Sequence, residues 1–159
     1  MSLANIKAKS QGFTIVELLI VVVVIAVLAA ITIVSYNGIT NRANTSAAAA
    51  AASTVQKKAE LYAADGTTKK YPLALTDLTG AASSTSYFLS GVNATASYAL
   101  PDSTNGTNTI QFLKCAAAAA NQAAITNSNI TGLKLGYYNF TSGEVDTVNI
   151  GTTTVCPTS

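Results

Sequence analysis

Three side chains carry most of the chemistry that this sequence offers: Glu17, Cys115 and Cys156. Glu17 lies inside a long apolar stretch, Phe13 to Val34. A carboxylate in lipid costs several kcal/mol unless something neutralises it, so an ionisable group at that depth marks a functional position. Cys115 and Cys156 are the only cysteines. A chain with an export segment enters an oxidising compartment, where two cysteines pair. The loop they would close holds 42 residues, and the chain-entropy account values it at about 4 kcal/mol. The chain has no His, so it has no His-based triad and no imidazole acid or base. Two cysteines without histidine leave no structural zinc set. No nucleophile–base pair can be built, and the chain reads as a non-enzyme without a cofactor.

The elements that must position these groups follow from composition. At 159 residues the chain has room for one domain of about 150. Charged residues make up 10%, against about 25% in an ordinary soluble protein. Nine basic and seven acidic side chains give +2, too weak a balance to call for a polyanion. No Trp and one Arg argue against a nucleic-acid surface.

The hydrophobicity is concentrated in the 22 residues from Phe13 to Val34, where only Thr14, Glu17 and Thr32 are polar. As a helix this block is roughly 33 Å long, about the thickness of a bilayer's hydrocarbon core. It is apolar all round, and lipid enforces a helix because unpaired backbone groups are forbidden there. Lys7 and Lys9 precede it and hold the N-terminus in the cytoplasm. A secretory signal peptide has the same order, with small residues at Ala29 and Ala30. Its apolar part is usually about 7–15 residues, shorter than this block, and it carries no buried acid.

Glu17 gains a partner if the chain is cut after Gly12. The new terminus, Phe13, would carry an ammonium group four residues before Glu17. The two could pair within one helix or between helices packed side by side. In an apolar bundle the second arrangement would set the register of assembly. The cut also removes Lys7 and Lys9, leaving seven basic and seven acidic groups.

The order Gly12-Phe13-Thr14-Ile15-Val16-Glu17-Leu18-Leu19 before the Val/Ile/Ala run resembles the prepilin signature of type IV pilins and pseudopilins. The resemblance covers about residues 7–36. It implies that residues 1–12 are a cytoplasmic leader removed by a prepilin peptidase, and that Phe13 becomes a methylated N-terminus. It implies that Glu17 registers assembly, and that residues 13–34 are the transmembrane and assembly helix. The expected product is a type IV pilus subunit, polymerising with copies of itself and with minor pilins at an assembly platform. It would be a single-pass inner-membrane protein before assembly and part of an extracellular fibre afterwards. The alternative is a pseudopilin of a type II secretion-like machine.

The remaining residues, 35–159, read as the globular pilin domain. The helix continues to about residue 64, where Asp65-Gly66 ends it. Alanines 47–52 are strong helix formers. Val55, Ala59 and Tyr62 fall at i, i+4 and i+7, a stripe able to lie on a sheet. Lys57, Lys58 and Glu60 are expected to face away. Tyr36-Asn37-Gly38 is a weak stretch where the helix is expected to bend or melt. Residues 66–86 read as a loop, with Tyr71-Pro72-Leu73 similar to the Tyr-Pro segment after the long helix in many pilins. Strands are expected at Ser97–Leu100, at Thr109–Cys115 and in a hairpin, Leu133–Phe140 and Glu144–Ile150, turning at Ser142-Gly143. Ala116–Ala124 reads as a short helix or ordered loop, and Gly151–Ser159 as a tail that only Cys156 restrains. The expected fold class is α+β: a long N-terminal helix packed on a small antiparallel sheet.

Weaker signals point elsewhere. Leu100-Pro101-Asp102-Ser103-Thr104 loosely resembles a sorting motif but is mid-chain and lacks its glycine. Asn-x-Ser/Thr triplets begin at Asn44, Asn93, Asn105, Asn129 and Asn139, a number that chance yields in a chain so rich in these residues. Glu144 and Asp146 could offer oxygen to calcium, although two acids on one strand are ordinarily a solvated face. Lys57-Lys58 and Lys69-Lys70 make a weak electrostatic case for DNA on a mature chain of zero net charge.

Overall fold

The structure is a computed structural model that describes residues 12–65, 70–94 and 100–158. The chain divides into two compact units, Met1–Ile39 and Thr40–Ser159.

The first helix, α1, runs from Ile15 to Ala64. Of the bend or melting expected at Tyr36-Asn37-Gly38, the melting is not found, because hydrogen-bonded helix continues through it. One glycine costs a helix only about 1 kcal/mol, and strong helix formers follow. Threonines within α1 bond their own helix: Thr32 Oγ1 donates to the Ala29 carbonyl and Thr45 Oγ1 to the Asn41 carbonyl, each at 2.9 Å. Their hydroxyls are thereby satisfied without leaving the helix.

In the second unit, the apolar stripe of α1 is Ala48, Ala52, Val55, Ala59 and Tyr62, all buried. This extends the expected Val55–Ala59–Tyr62 spacing two turns further back, through Ala52 to Ala48. Alanine at three of these five positions lets the helix backbone approach its neighbours closely. Lys57 and Glu60 are exposed, but Lys58 is half-buried. Its ammonium donates to the Ser86 carbonyl at 2.6 Å, so this lysine ties α1 to the following loop instead of facing away. That loop holds one helical turn, α2 (Thr76–Thr79), with Leu78 fully buried.

Four strands form one sheet in the order β1-β2-β3-β4: Asn93–Ala94, Thr109–Ala116, Ile130–Asn139 and Glu144–Gly151. The sheet is mixed, not purely antiparallel. The two-residue β1 lies parallel to β2, with Asn93 opposite Thr109 and Ala94 opposite Ile110. The connection from Ala94 to Thr109 is long enough to bring the chain back to run the same way. The strand expected at Ser97–Leu100 falls largely outside the described residues, and Leu100 itself is in a loop.

The hairpin β3–β4 matches its expected position, and the antiparallel register pairs Asn139 with Glu144 and Leu135 with Val148. Its turn is organised by Asn139, whose Oδ1 accepts the backbone N–H groups of Thr141 and Ser142 at 2.9 and 3.1 Å. Gly143 closes the turn at φ +77°, a conformation that favours glycine. Ile110, Leu133, Leu135 and Ile150 from the sheet join Ala52, Val55, Leu75, Leu78 and Leu89 in one core. Each large side chain buried in this way contributes roughly 1.5–3 kcal/mol.

Between β2 and β3 the alanine-rich stretch is mostly ordered loop, ending in a 3-10 turn at Gln122–Ala124. The tail after Gly151 is held by more than its cysteine. Ala116 and Val155 exchange two backbone hydrogen bonds, at 2.9 and 3.2 Å.

Candidate functional site

The N-terminal site begins at Gly12-Phe13. Phe13 is 86% exposed. Thr14 stands one residue before α1, and Glu17 is the third residue of the helix. The backbone N–H of Thr14 and its hydroxyl each donate to Glu17 Oε2 at 2.8 Å. In return, the Glu17 N–H donates to Thr14 Oγ1 at 3.2 Å. This is a capping box, in which two N–H groups left over at the helix start are satisfied reciprocally. The carboxylate also lies at the positive end of the helix dipole.

The sequence pairs Glu17 with a Phe13 amine, whereas in the structure its partner is Thr14. In the full chain the Phe13 nitrogen is an amide joined to Gly12, so no ammonium exists there before a cut. Glu17 therefore has a local partner that does not depend on processing. The Thr-x-x-Glu spacing was the available signal.

From Ile15 to Val34 the large apolar side chains are all at least half exposed, from 50% at Val24 to 86% at Ile15. The 18-residue window of highest mean hydropathy in α1 averages 3.2, and none of that window is buried. The helix is long and apolar enough to cross a membrane.

A second constellation surrounds the cysteines. Cys115, buried at the end of β2, is joined to Cys156 in a disulfide. Beside it lies Gln122, 1% exposed. Its Oε1 accepts the Lys114 N–H at 2.9 Å, and its Nε2 donates to the Lys114 and Pro157 carbonyls at 2.8 and 2.6 Å. One side chain thus joins β2, the 3-10 turn and the tail. The Lys114 ammonium donates to the Ile125 carbonyl at 3.1 Å, and burial pulls it below its ordinary range. These contacts make a structural clamp without a reactive group.

A third cluster ties α1 to the β3–β4 turn. Thr45 Oγ1 lies 3.3 Å from both Asn139 Oδ1 and Thr141 Oγ1. Asn139 Nδ2 donates to Asp146 Oδ2 at 2.8 Å. Asp146, weighed above as a calcium ligand, is engaged in holding the hairpin. Among the described residues no group of three or more His, Cys, Asp or Glu side chains is placed to hold a metal ion.

Residues 7–33 match the family model described as the prokaryotic N-terminal methylation motif. Neither the curated proteins nor the solved structures yield a match. The chain thus carries the prepilin-type signature of type IV pilins and pseudopilins, and Phe13, Thr14 and Glu17 all lie within it. This signature and the apolar helix behind it support a pilin- or pseudopilin-like protein, and together they suggest a membrane anchor.

Proposed function

We propose that the protein is the structural subunit of a type IV pilus filament. The leader is cut between Gly12 and Phe13, the Phe13 amine is methylated, and copies polymerise through their N-terminal helices. The observation that carries this reading is the uncovered apolar surface from Ile15 to Val34 directly behind the methylation motif. In lipid that surface is solvated by acyl chains. Once outside the membrane it requires equally apolar neighbours, and further copies of the same helix supply them.

Cutting converts the Phe13 amide into an ammonium group beside an apolar bundle. Glu17 is the one acidic residue in Phe13–Val34. It compensates that charge on an adjacent subunit and so fixes the axial register. The subunit's partners are further copies, minor pilins, the prepilin peptidase and the assembly platform. It spans the inner membrane before assembly and lies in an extracellular fibre afterwards, serving motility, adhesion or DNA uptake.

The test is Glu17→Ala, followed by electron microscopy of cells beside a blot for total protein. The substitution makes the helix more apolar, so insertion is retained. It leaves an unpaired ammonium that costs several kcal/mol per subunit. Stable membrane-held subunits with few or no filaments are expected. Normal filaments at normal protein levels would overturn the registration role. A pseudopilin would instead show lost secretion with no surface fibre even in the wild type.

A further inference from the structure

We propose that Asn105 is a site of spontaneous covalent modification: Gly106 closes a ring onto its side chain, converting it to aspartate and isoaspartate, and the Thr109 hydroxyl promotes the step.

Asn105 and Gly106 are both exposed, in the loop between Pro101 and β2. Twelve residues of the chain are asparagine, and only Asn37 and Asn105 precede a glycine. Elsewhere a Cβ on the following residue crowds the approach of its nitrogen to the asparagine side chain. Among the described residues the Gly106 N–H, the attacking group, makes no hydrogen bond, while the Asn105 side-chain amide is drawn toward the Asp102 carboxylate.

The loop orders the backbone on either side of them. Asp102 Oδ1 accepts the N–H groups of Thr104 and Asn105 at 2.8 and 3.2 Å, which fixes the backbone just before the reacting pair. Gly106 sits at φ +80°, where a larger residue would be strained. On the other side, Thr109 Oγ1 donates to the Asn105 carbonyl oxygen at 2.6 Å. Thr109 is 7% exposed, so little water competes for that bond. The carbonyl belongs to the same peptide group as the Gly106 nitrogen. A hydrogen bond on its oxygen draws electron density from the nitrogen and acidifies the N–H, which must lose its proton to attack.

The step balances with water as the only co-reactant. The Gly106 nitrogen bonds to Cγ of Asn105, giving a five-membered succinimide. The Cγ–Nδ2 bond breaks, and the nitrogen leaves as ammonia. Water then opens the ring. Cleavage at Cγ gives aspartate, and cleavage at the main-chain carbonyl gives isoaspartate, with the chain running through the former side chain. Nothing is oxidised or reduced.

Asn37-Gly38 serves as an internal control. It lies within α1, where the Gly38 N–H is part of the helical ladder. The product at Asn105 adds a negative charge near Asp102. Isoaspartate also lengthens the loop leading into β2. That loop holds β1 through Asn108, whose carbonyl accepts the Asn93 N–H at 2.9 Å and whose Nδ2 donates to the Gly91 carbonyl at 2.8 Å. The chemistry is independent of assembly. Only its consequence for a fibre, a surface charge that grows with age, rests on the filament reading.

The test uses the full chain purified in detergent, held warm at neutral pH and sampled over days. Peptide mapping with electron-based fragmentation distinguishes aspartate from isoaspartate. Asn105 should convert about tenfold or more faster than Asn37, a barrier difference of about 1.4 kcal/mol. Thr109→Val should slow it and Thr109→Ser should retain the wild-type rate. Conversion at Asn105 no faster than at Asn37 would overturn the site. A wild-type rate in Thr109→Val would overturn the role of the hydroxyl. If the valine variant fails to fold, the comparison of the two asparagines still decides.

Discussion

The hydroxyl and the backbone N–H of Thr14 both donate to one oxygen of Glu17, each at 2.8 Å. The acid that the apolar block isolates is thus also the first turn's own cap. Its charge is shared with a local donor while the subunit is alone. Under the proposed assembly, a neighbour's ammonium would offer a stronger, charge-assisted partner.

Thr14→Val removes the hydroxyl from this box. Losing a cap costs about 1 kcal/mol, and one such unit is roughly a fivefold change in a local equilibrium. Amide exchange at Glu17 and Leu18 in detergent micelles should accelerate by about that factor, with Thr14→Ser close to wild type. Unchanged exchange would mean that the box does not hold the helix start.

Loss of the Cys115–Cys156 disulfide should lower unfolding stability by up to about 4 kcal/mol. The tail should nevertheless stay docked, because Ala116 and Val155 still exchange two backbone hydrogen bonds and Gln122 still holds Pro157. Hydrogen exchange on the reduced protein should show the Val155 amide protected. Gln122→Ala adds a cost of about 1–3 kcal/mol, the penalty for buried groups left without partners. A tail that exchanges freely on reduction alone would show that the covalent bond was its only restraint.

Stability should fall at high pH through Tyr137. Burial pushes its hydroxyl above the ordinary 10.0, and the Asp146 carboxylate adds to the shift. A raised value means that the fold holds the proton more tightly than the unfolded chain does. The contribution is therefore complete below 10.0 and is lost as pH rises through the folded value. Urea melts at increasing alkaline pH should show a steeper loss in wild type than in Tyr137→Phe. Parallel losses would remove Tyr137 as the cause.

Much of this was legible in the letters. The Val55–Ala59–Tyr62 stripe and the β3–β4 hairpin repeat with a period that burial imposes, the apolar block is marked by its length and unbroken hydropathy, and the structure follows all three. Two cysteines beside an export segment left one pairing. What could not be read depends on single side chains meeting across distance. Nothing in the sequence marks Gln122 as a buried amide serving three segments, or Lys58 as a tie to Ser86. The strand Asn93–Ala94 is too short to carry any pattern. The Thr14-x-x-Glu17 spacing is legible as a capping box, but the apolar residues around Glu17 mark it first as an isolated charge. The helix ran through Asn37-Gly38 because local propensity is a small cost beside the hydrogen-bonded run on either side.

On the proposed reading, this chain is cut after Gly12 and builds a filament through its N-terminal helix. The most direct measurement is the intact mass and N-terminal sequence of the main protein in filaments sheared from the cell surface. The expected chain begins Phe13-Thr14-Ile15 and carries one methyl group on the Phe13 amine and an intact Cys115–Cys156 disulfide. Filaments lacking this chain, or a mature chain that starts after Ala29 or Ala30, would contradict it.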